Sequence, residues 1–163
     1  MINFQGLKKP AFYAYQLLNR LGDEELKSTD TDSWATRSKN GVQILFWNFN
    51  PPKTDESNQV FYKKDIPTQD LGNANIQISD LSKGNYRMNI YQVGYQVNDV
   101  YADFLKLGSP KHLTREQVKQ LAEKNNGKPI ETVMVKIDGK QTFSKTLKLR
   151  ENDVFLITLE KTN

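Results

Sequence analysis

Val42-Gln43-Ile44-Leu45-Phe46-Trp47-Asn48-Phe49 is the most apolar stretch of this 163-residue chain, and its reading decides the fold. Its length and its β-branched and aromatic content mark a strand. Large side chains occupy both alternation phases, whereas a strand with one wet face would show polar residues on one phase. The strand is therefore expected to be covered on both sides, by a sandwich core on one and by another element on the other.

Downstream the texture stays β. Short strands are expected at Gln59 to Tyr62, Asn75 to Ser79 and Asn85 to Tyr91, the last placing Tyr86, Met88 and Ile90 on one face. Three more are expected at Thr132 to Ile137, Gln141 to Leu149 and Val154 to Leu159. Pro51 to Asn58 reads as a polar loop and Ser82-Lys83-Gly84-Asn85 as a turn. Asp138-Gly139 suggests a hairpin, and Glu151-Asn152-Asp153 supplies the next connection. One internal helix interrupts the strands: Thr114-Arg115-Glu116-Gln117 fits a capping box, Val118 and Leu121-Ala122 give an apolar stripe, and Asn125-Asn126-Gly127 stops it. Upstream, Pro10 to Leu21 reads as a helix, with Pro in its first turn and Gly22 past its end. Its apolar arc is wide, running over Ala11, Phe12, Ala14, Tyr15, Leu18 and Leu21. The expected architecture is mainly β: an antiparallel β-sandwich, immunoglobulin-like or similar, with an N-terminal helix and one short internal helix.

Composition removes several function classes. There is no Cys and a single His, so neither a thiol nucleophile nor a Cys- or His-clustered metal site can be built. Lys+Arg number 23 against 19 Asp+Glu, but the net charge of +4 is dispersed, with only Lys8-Lys9 and Lys63-Lys64 adjacent. That pattern argues against a nucleic-acid surface. No stretch approaches the ~20 apolar residues of a membrane span. Met1-Ile2-Asn3-Phe4 lacks the basic and apolar regions of a signal peptide, which leaves the compartment open and leans towards the cytoplasm. The length also falls short of a full (β/α)₈ barrel, which takes roughly 200 residues or more.

A search for chemistry is nearly empty. His112 sits in Ser109-Pro110-Lys111-His112-Leu113, just before a helix cap, where a solvated loop residue is the ordinary reading. No glycine-rich phosphate loop occurs. Most carboxylates lie in polar runs such as Asp23-Glu24-Glu25 and Asp30-Thr31-Asp32. Asp99 and Asp103, four apart, form the least ordinary pair, although a turn or short helix with an exposed acidic edge accounts for them. Among the aromatics, Trp34 and Trp47 could stack on a sugar ring, but Trp47 stands in the doubly apolar strand and reads as packing. The Tyr91-Gln92-Val93-Gly94-Tyr95-Gln96-Val97-Asn98-Asp99-Val100-Tyr101 stretch mixes flat rings with amides, which suits a polar ligand, although a strand leading into a tyrosine-rich loop that packs on a neighbour is the ordinary reading. Tyr91, Tyr95, Asn98 and Tyr101 are accordingly the candidate carbohydrate contacts.

Several strings, in order, resemble a known family. Gly6-Leu7-Lys8-Lys9-Pro10-Ala11-Phe12-Tyr13-Ala14-Tyr15 through Leu18-Asn19-Arg20-Leu21-Gly22 is similar to the last barrel helix of family 39 glycoside hydrolases, the β-xylosidase and α-iduronidase group. Val42 to Asn48 resembles the strand that follows it. Gly108-Ser109-Pro110-Lys111 to Thr114-Arg115-Glu116-Gln117-Val118 and Leu149 to Leu159 resemble later segments of the same family. Residues 95 to 107 depart from the pattern.

The resemblance implies a retaining glycosidase whose two carboxylates flank the sugar about 5 Å apart, the acid/base glutamate standing in an Asn-Glu-Pro motif. No Glu here sits between Asn and Pro, so no position in this chain receives a catalytic role. What the resemblance does imply is an accessory region of a carbohydrate-degrading enzyme. Residues 1–25 would be equivalent to the last helix of a barrel lying upstream of Met1, and residues 26–163 would form the sandwich. Phe12, Tyr15, Leu18 and Trp47 would pack against that barrel, which would supply the partner that the wide helix arc and the two-faced strand both call for. No cofactor, metal, nucleic acid or membrane partner is expected; a carbohydrate and a second copy of the chain stay open as partners. The alternative is an independent carbohydrate-binding module for xylan-type sugars.

Overall fold

Strand β3 (Gly41–Trp47) lies near the middle of a six-stranded antiparallel sheet and is covered on both faces by other parts of this same chain. The computed structural model describes residues 1–50 and 65–162. The polar loop and the strand expected over 51–62 lie outside the described residues.

The chain opens with helix α1 (Pro10–Leu18). Strands β1 (Glu24–Leu26), β2 (Ser33–Ser38) and β3 then run as a meander. Next come β4 (Asp70–Ile78) and β5 (Gly84–Val93), helices α2 (Val100–Lys106) and α3 (Arg115–Lys124), and strands β6 (Glu131–Ile137), β7 (Phe143–Arg150) and β8 (Val154–Thr162). The large sheet has the order β1-β2-β3-β8-β5-β6, and β4 pairs with β7 in a two-stranded sheet.

Alternation explains the core between the sheets. Val42, Ile44 and Phe46 of β3, Tyr86, Met88 and Ile90 of β5, and Phe155, Ile157 and Leu159 of β8 share one face and pack together. Phe46 and Phe155, opposite each other in the register, stack with ring centroids 5.2 Å apart. Ile76, Ile78, Phe143 and Leu147 of the small sheet close the layer. Each fully buried side chain of this kind stabilises the fold by about 1.5–3 kcal/mol.

The opposite phase of the large sheet meets α1. Tyr13 and Leu17, one turn apart, are buried against Leu45, Tyr91, Val93 and Leu156, with Phe12, Leu21 and Trp47 packed at the margin. The expected external partner for β3 is thus corrected: its second face is covered by the helix of this chain. The helix ends at Leu18, and two tighter turns follow, Arg20 N to Leu17 O and Leu21 N to Leu18 O.

Beyond α1 this face carries a transverse polar row. Thr36, Gln43, Thr158, Asn89 and Thr132 are successive register partners across five strands. Thr36 Oγ1 donates to Gln43 Oε1 (3.2 Å), Asn89 Nδ2 to Thr158 Oγ1 (3.2 Å) and Thr132 Oγ1 to Asn89 Oδ1 (2.9 Å). Mutual pairing lets four of these polar side chains be buried without loss.

Three further expectations change. No strand was expected before Val42, yet β1 and β2 form there; their Ser, Thr and charged content gives only a faint alternation. Two internal helices are present rather than one, α2 preceding the expected α3. Asp138-Gly139 does not close a hairpin, because β6 pairs with β5 and β7 with β4. The turn, held by Gln141 N to Asp138 O and Lys140 N to Asp138 Oδ1, carries the chain from one sheet to the other. Ile137 and Phe143 on either side of it then enter the same core from opposite layers. The capping box of α3 forms as expected, with Thr114 Oγ1 accepting from Gln117 N (3.2 Å) and Gln117 Oε1 from Thr114 N (2.9 Å).

Candidate functional site

The acidic pair is spent on structure. Asp99 caps α2, accepting from Ala102 N and Gln96 N, each at 3.3 Å. Asp103 is not on an exposed edge but 4% exposed, accepting from Lys124 Nζ and from Asn125 Nδ2 (2.9 Å). Asn125 is the hub that sequence reading passed over. Its carbonyl accepts the Tyr13 hydroxyl, and its amide ties α3 to Asp103 of α2. An Asn at a helix end is the only local signal it gives. Burial pushes the Tyr13 hydroxyl above the usual tyrosine pKa. Among the described residues, no group of three or more His, Asp or Glu is placed to hold a metal ion.

The four candidate carbohydrate contacts do not converge. Tyr91 is 8% exposed in the core beneath α1, and the Arg20 guanidinium lies 4.7 Å from its ring centroid. Asn98, at φ 52°, donates to Gln92 O (2.9 Å) and accepts from Gly127 N (2.9 Å), so its amide holds two loops together. Tyr95 sits in the Gly94–Val97 turn, on the side of the Asp65 carboxylate. Partial burial, then the Asp65 and Asp99 carboxylates, raise its pKa against a lowering contact from Gln96. Tyr101 projects from α2 with its ring 6.1 Å from that of Phe104 at an interplanar angle of 28°.

The four packing candidates also divide. Phe12 and Trp47 join the cluster under α1, whereas Tyr15 (62% exposed) and Leu18 (37%) face outward. Trp34 of β2 and Met134 of β6, on the α1 side of the sheet by register, are 42% and 57% exposed.

Beside α1 lies a groove of about 750 Å³, a size that suits a small ligand. One wall is the segment leading into α1, including Phe4, Leu7 and Pro10; the other holds Tyr101, Phe104 and His112. The leading segment is folded into a hook. Asn3 Oδ1 accepts from Gln5 N (3.0 Å) and Leu7 N (2.9 Å), Gly6 adopts φ +81°, and Leu7 is buried with Val100 and Leu121.

No family model matches the sequence, and no curated protein matches it. Solved structures do. A glycoside hydrolase family 39 enzyme from Xanthomonas axonopodis pv. citri superposes at a TM-score of 0.93 with 28% identity, over 99% of this chain and 32% of its own. A monomeric β-xylosidase from Caulobacter crescentus CB15 gives 0.92 and 32% identity over the same shares. A family 39 β-xylosidase from Caulobacter crescentus gives 0.75 and 26% identity, over 98% of this chain and 29% of its own. The chain thus spans about a third of the length of the structures it matches. With the ordered sequence motifs and the sandwich described above, these matches make the chain a counterpart of the C-terminal region of β-xylosidase-like family 39 glycoside hydrolases.

Proposed function

We propose that this chain is a non-catalytic accessory region of a retaining, β-xylosidase-like glycoside hydrolase, packing on and stabilising its catalytic (β/α)₈ barrel. In this reading residues 1–25 correspond to the last barrel helix and 26–163 to the sandwich. The observation that carries it is the match of 99% of this chain to about a third of family 39 enzymes. The outward-facing Tyr15 and Leu18 support it, because a barrel laid over α1 would bury them. The Asp99 and Asp103 carboxylates, both committed to structural hydrogen bonds, are in keeping with the absence of a catalytic role.

The genomic reading frame upstream of Met1 tests this directly. A barrel-coding sequence running into Ile2-Asn3 is expected, and a frame holding no such barrel would sink the proposal. Biochemically, the chain alone is expected to leave aryl β-xylosides intact. Turnover above blank that contaminants cannot explain would overturn the non-catalytic role.

A further inference from the structure

We infer that the Asn40–Gly41 dipeptide is a site of spontaneous deamidation, whereas the fold shields the chain's other Asn–Gly dipeptide, Asn126–Gly127. The chemistry needs only water. The Gly backbone nitrogen, losing its proton to a base in solution, attacks Cγ of the preceding Asn; the Cγ–Nδ2 bond breaks and ammonia leaves with a proton. The cyclic succinimide then takes up one water at either carbonyl, giving Asp or, with the chain rerouted through the side chain, isoaspartate. Glycine after the Asn favours the step because no Cβ hinders the approach of its nitrogen. Both dipeptides share that advantage and both asparagines are exposed, so hydrogen bonding decides between them.

Asn126 is held at every reacting group. Its Nδ2 donates to Glu123 O (2.6 Å), its Oδ1 accepts from Lys128 N (2.8 Å), and the attacking nitrogen, Gly127 N, donates to Asn98 Oδ1 (2.9 Å). Gly127 is fixed further at φ +68°, pressed so close to Tyr13 that a Cβ on it would lie 2.8 Å from the ring. Attack would require turning Gly127 N away from Asn98 and breaking the amide's own bonds. Asn40 is different. It stands with Lys39 in the exposed two-residue turn joining β2 to β3, and its side-chain amide makes no hydrogen bond among the described residues. Gly41 pairs with Ser38 at the turn end of the ladder, where backbone pairs open most readily. The product has a structural consequence. Asn40 O accepts from Lys161 N (3.0 Å), and Gly41 passes so near β8 that a Cβ on it would lie 1.8 Å from the Leu159 carbonyl oxygen. Isoaspartate adds a methylene to the backbone at this crossing and so loosens the end of β8, while either product lowers the net charge of +4 by one.

The test ages the folded chain at mildly alkaline pH and uses peptide mapping by mass spectrometry to locate the mass gain of amide-to-acid conversion. The peptide carrying Asn40 is expected to convert at least about tenfold faster than the one carrying Asn126, the scale of opening hydrogen bonds of this kind. In the urea-unfolded chain the two rates are expected to converge. Asn98→Gly keeps the left-handed backbone found at Asn98 (φ 52°) and frees Gly127 N, so it is expected to speed conversion of Asn126 and leave that of Asn40 unchanged. Asn40→Gln, whose longer side chain cyclises less readily, is expected to keep its amide throughout. Asn126 converting as fast as Asn40 in the folded chain overturns the proposal. A preference for Asn40 that persists undiminished in urea overturns it too, because flanking residues rather than the fold would then set the rates. An unchanged Asn126 rate in Asn98→Gly removes Asn98 as the shield.

Discussion

Between the two sheets, Met88, Ile90, Ile157 and Leu159 are at most 1% exposed, whereas on the other face of the same large sheet Trp34 and Met134 remain 42% and 57% exposed. The inner face is finished by the chain's own small sheet. The outer face is finished only at one end, by a helix of nine residues. Beyond the helix comes the hydrogen-bonded row from Thr36 to Thr132, and then the exposed Arg87–Glu160 pair at 2.8 Å. The contrast teaches that the inner face is closed along its length, whereas the outer face is closed only under α1. The outer face carries surplus apolar surface, which a second layer of protein would bury.

The contrast can be broken most strongly at its inner face. Ile157→Ala should destabilise the chain by about 2–5 kcal/mol in urea unfolding, as large-to-small changes in closed cores do. A loss below about 1 kcal/mol would mean that this face is not the main core. On the outer face, Asn89→Ala strips partners from Thr158 and Thr132 and should cost about 1–3 kcal/mol. No measurable loss would show the polar row to be hydrated rather than buried. Tyr13→Phe removes one hydrogen bond to Asn125 and should cost about 1 kcal/mol at neutral pH.

The same variant carries a pH signature. The folded Tyr13 pKa lies above its unfolded value near 10, so folding favours the protonated hydroxyl. That contribution is complete below the unfolded value and is lost as pH rises through the raised folded one. Alkaline unfolding of Tyr13→Phe should therefore be shallower than that of the parent chain; parallel curves would remove Tyr13 from the account. The smallest expected effect is on the outward surface. Tyr15→Asp should change the stability of the chain alone by no more than about 0.5 kcal/mol. In the polypeptide joined to its barrel, the same change should lower Tm, and an unchanged Tm there would place the barrel elsewhere.

Parts of this were legible locally. The two-sided burial of Val42 to Phe46 follows from large side chains on both phases, and the Thr114–Gln117 cap follows from residue type and spacing. The shared inward face of Tyr86, Met88 and Ile90 follows from a period of two. Strand β2 was not legible, because Ser33, Thr36, Arg37 and Ser38 satisfy no strong template; pairing with β3 and burial of Thr36 under Gly22 make it a strand. Gly22 N donates to Thr36 Oγ1 (2.8 Å), and a Cβ on Gly22 would lie 2.2 Å from the Arg37 carbonyl oxygen. The tyrosine stretch was legible as a cluster along the chain but not in space. The strand β5 sends Tyr91 beneath α1, the Gly94–Val97 turn redirects the backbone, and α2 carries Tyr101 to the groove.

By itself the sequence determined the fold class, the two-faced strand and the helix cap, because these rest on side-chain type at short, fixed spacing; the family entered separately, as a resemblance carried by ordered strings. Tertiary structure alone decided which sheet β6 and β7 join, that Asp103 is buried on Asn125, and that Tyr13 and Leu17 rather than Tyr15 and Leu18 form the inner side of α1. Each of these depends on which distant surfaces can be buried together without stranding a polar group, and such a condition is met between segments far apart in the chain rather than within one of them.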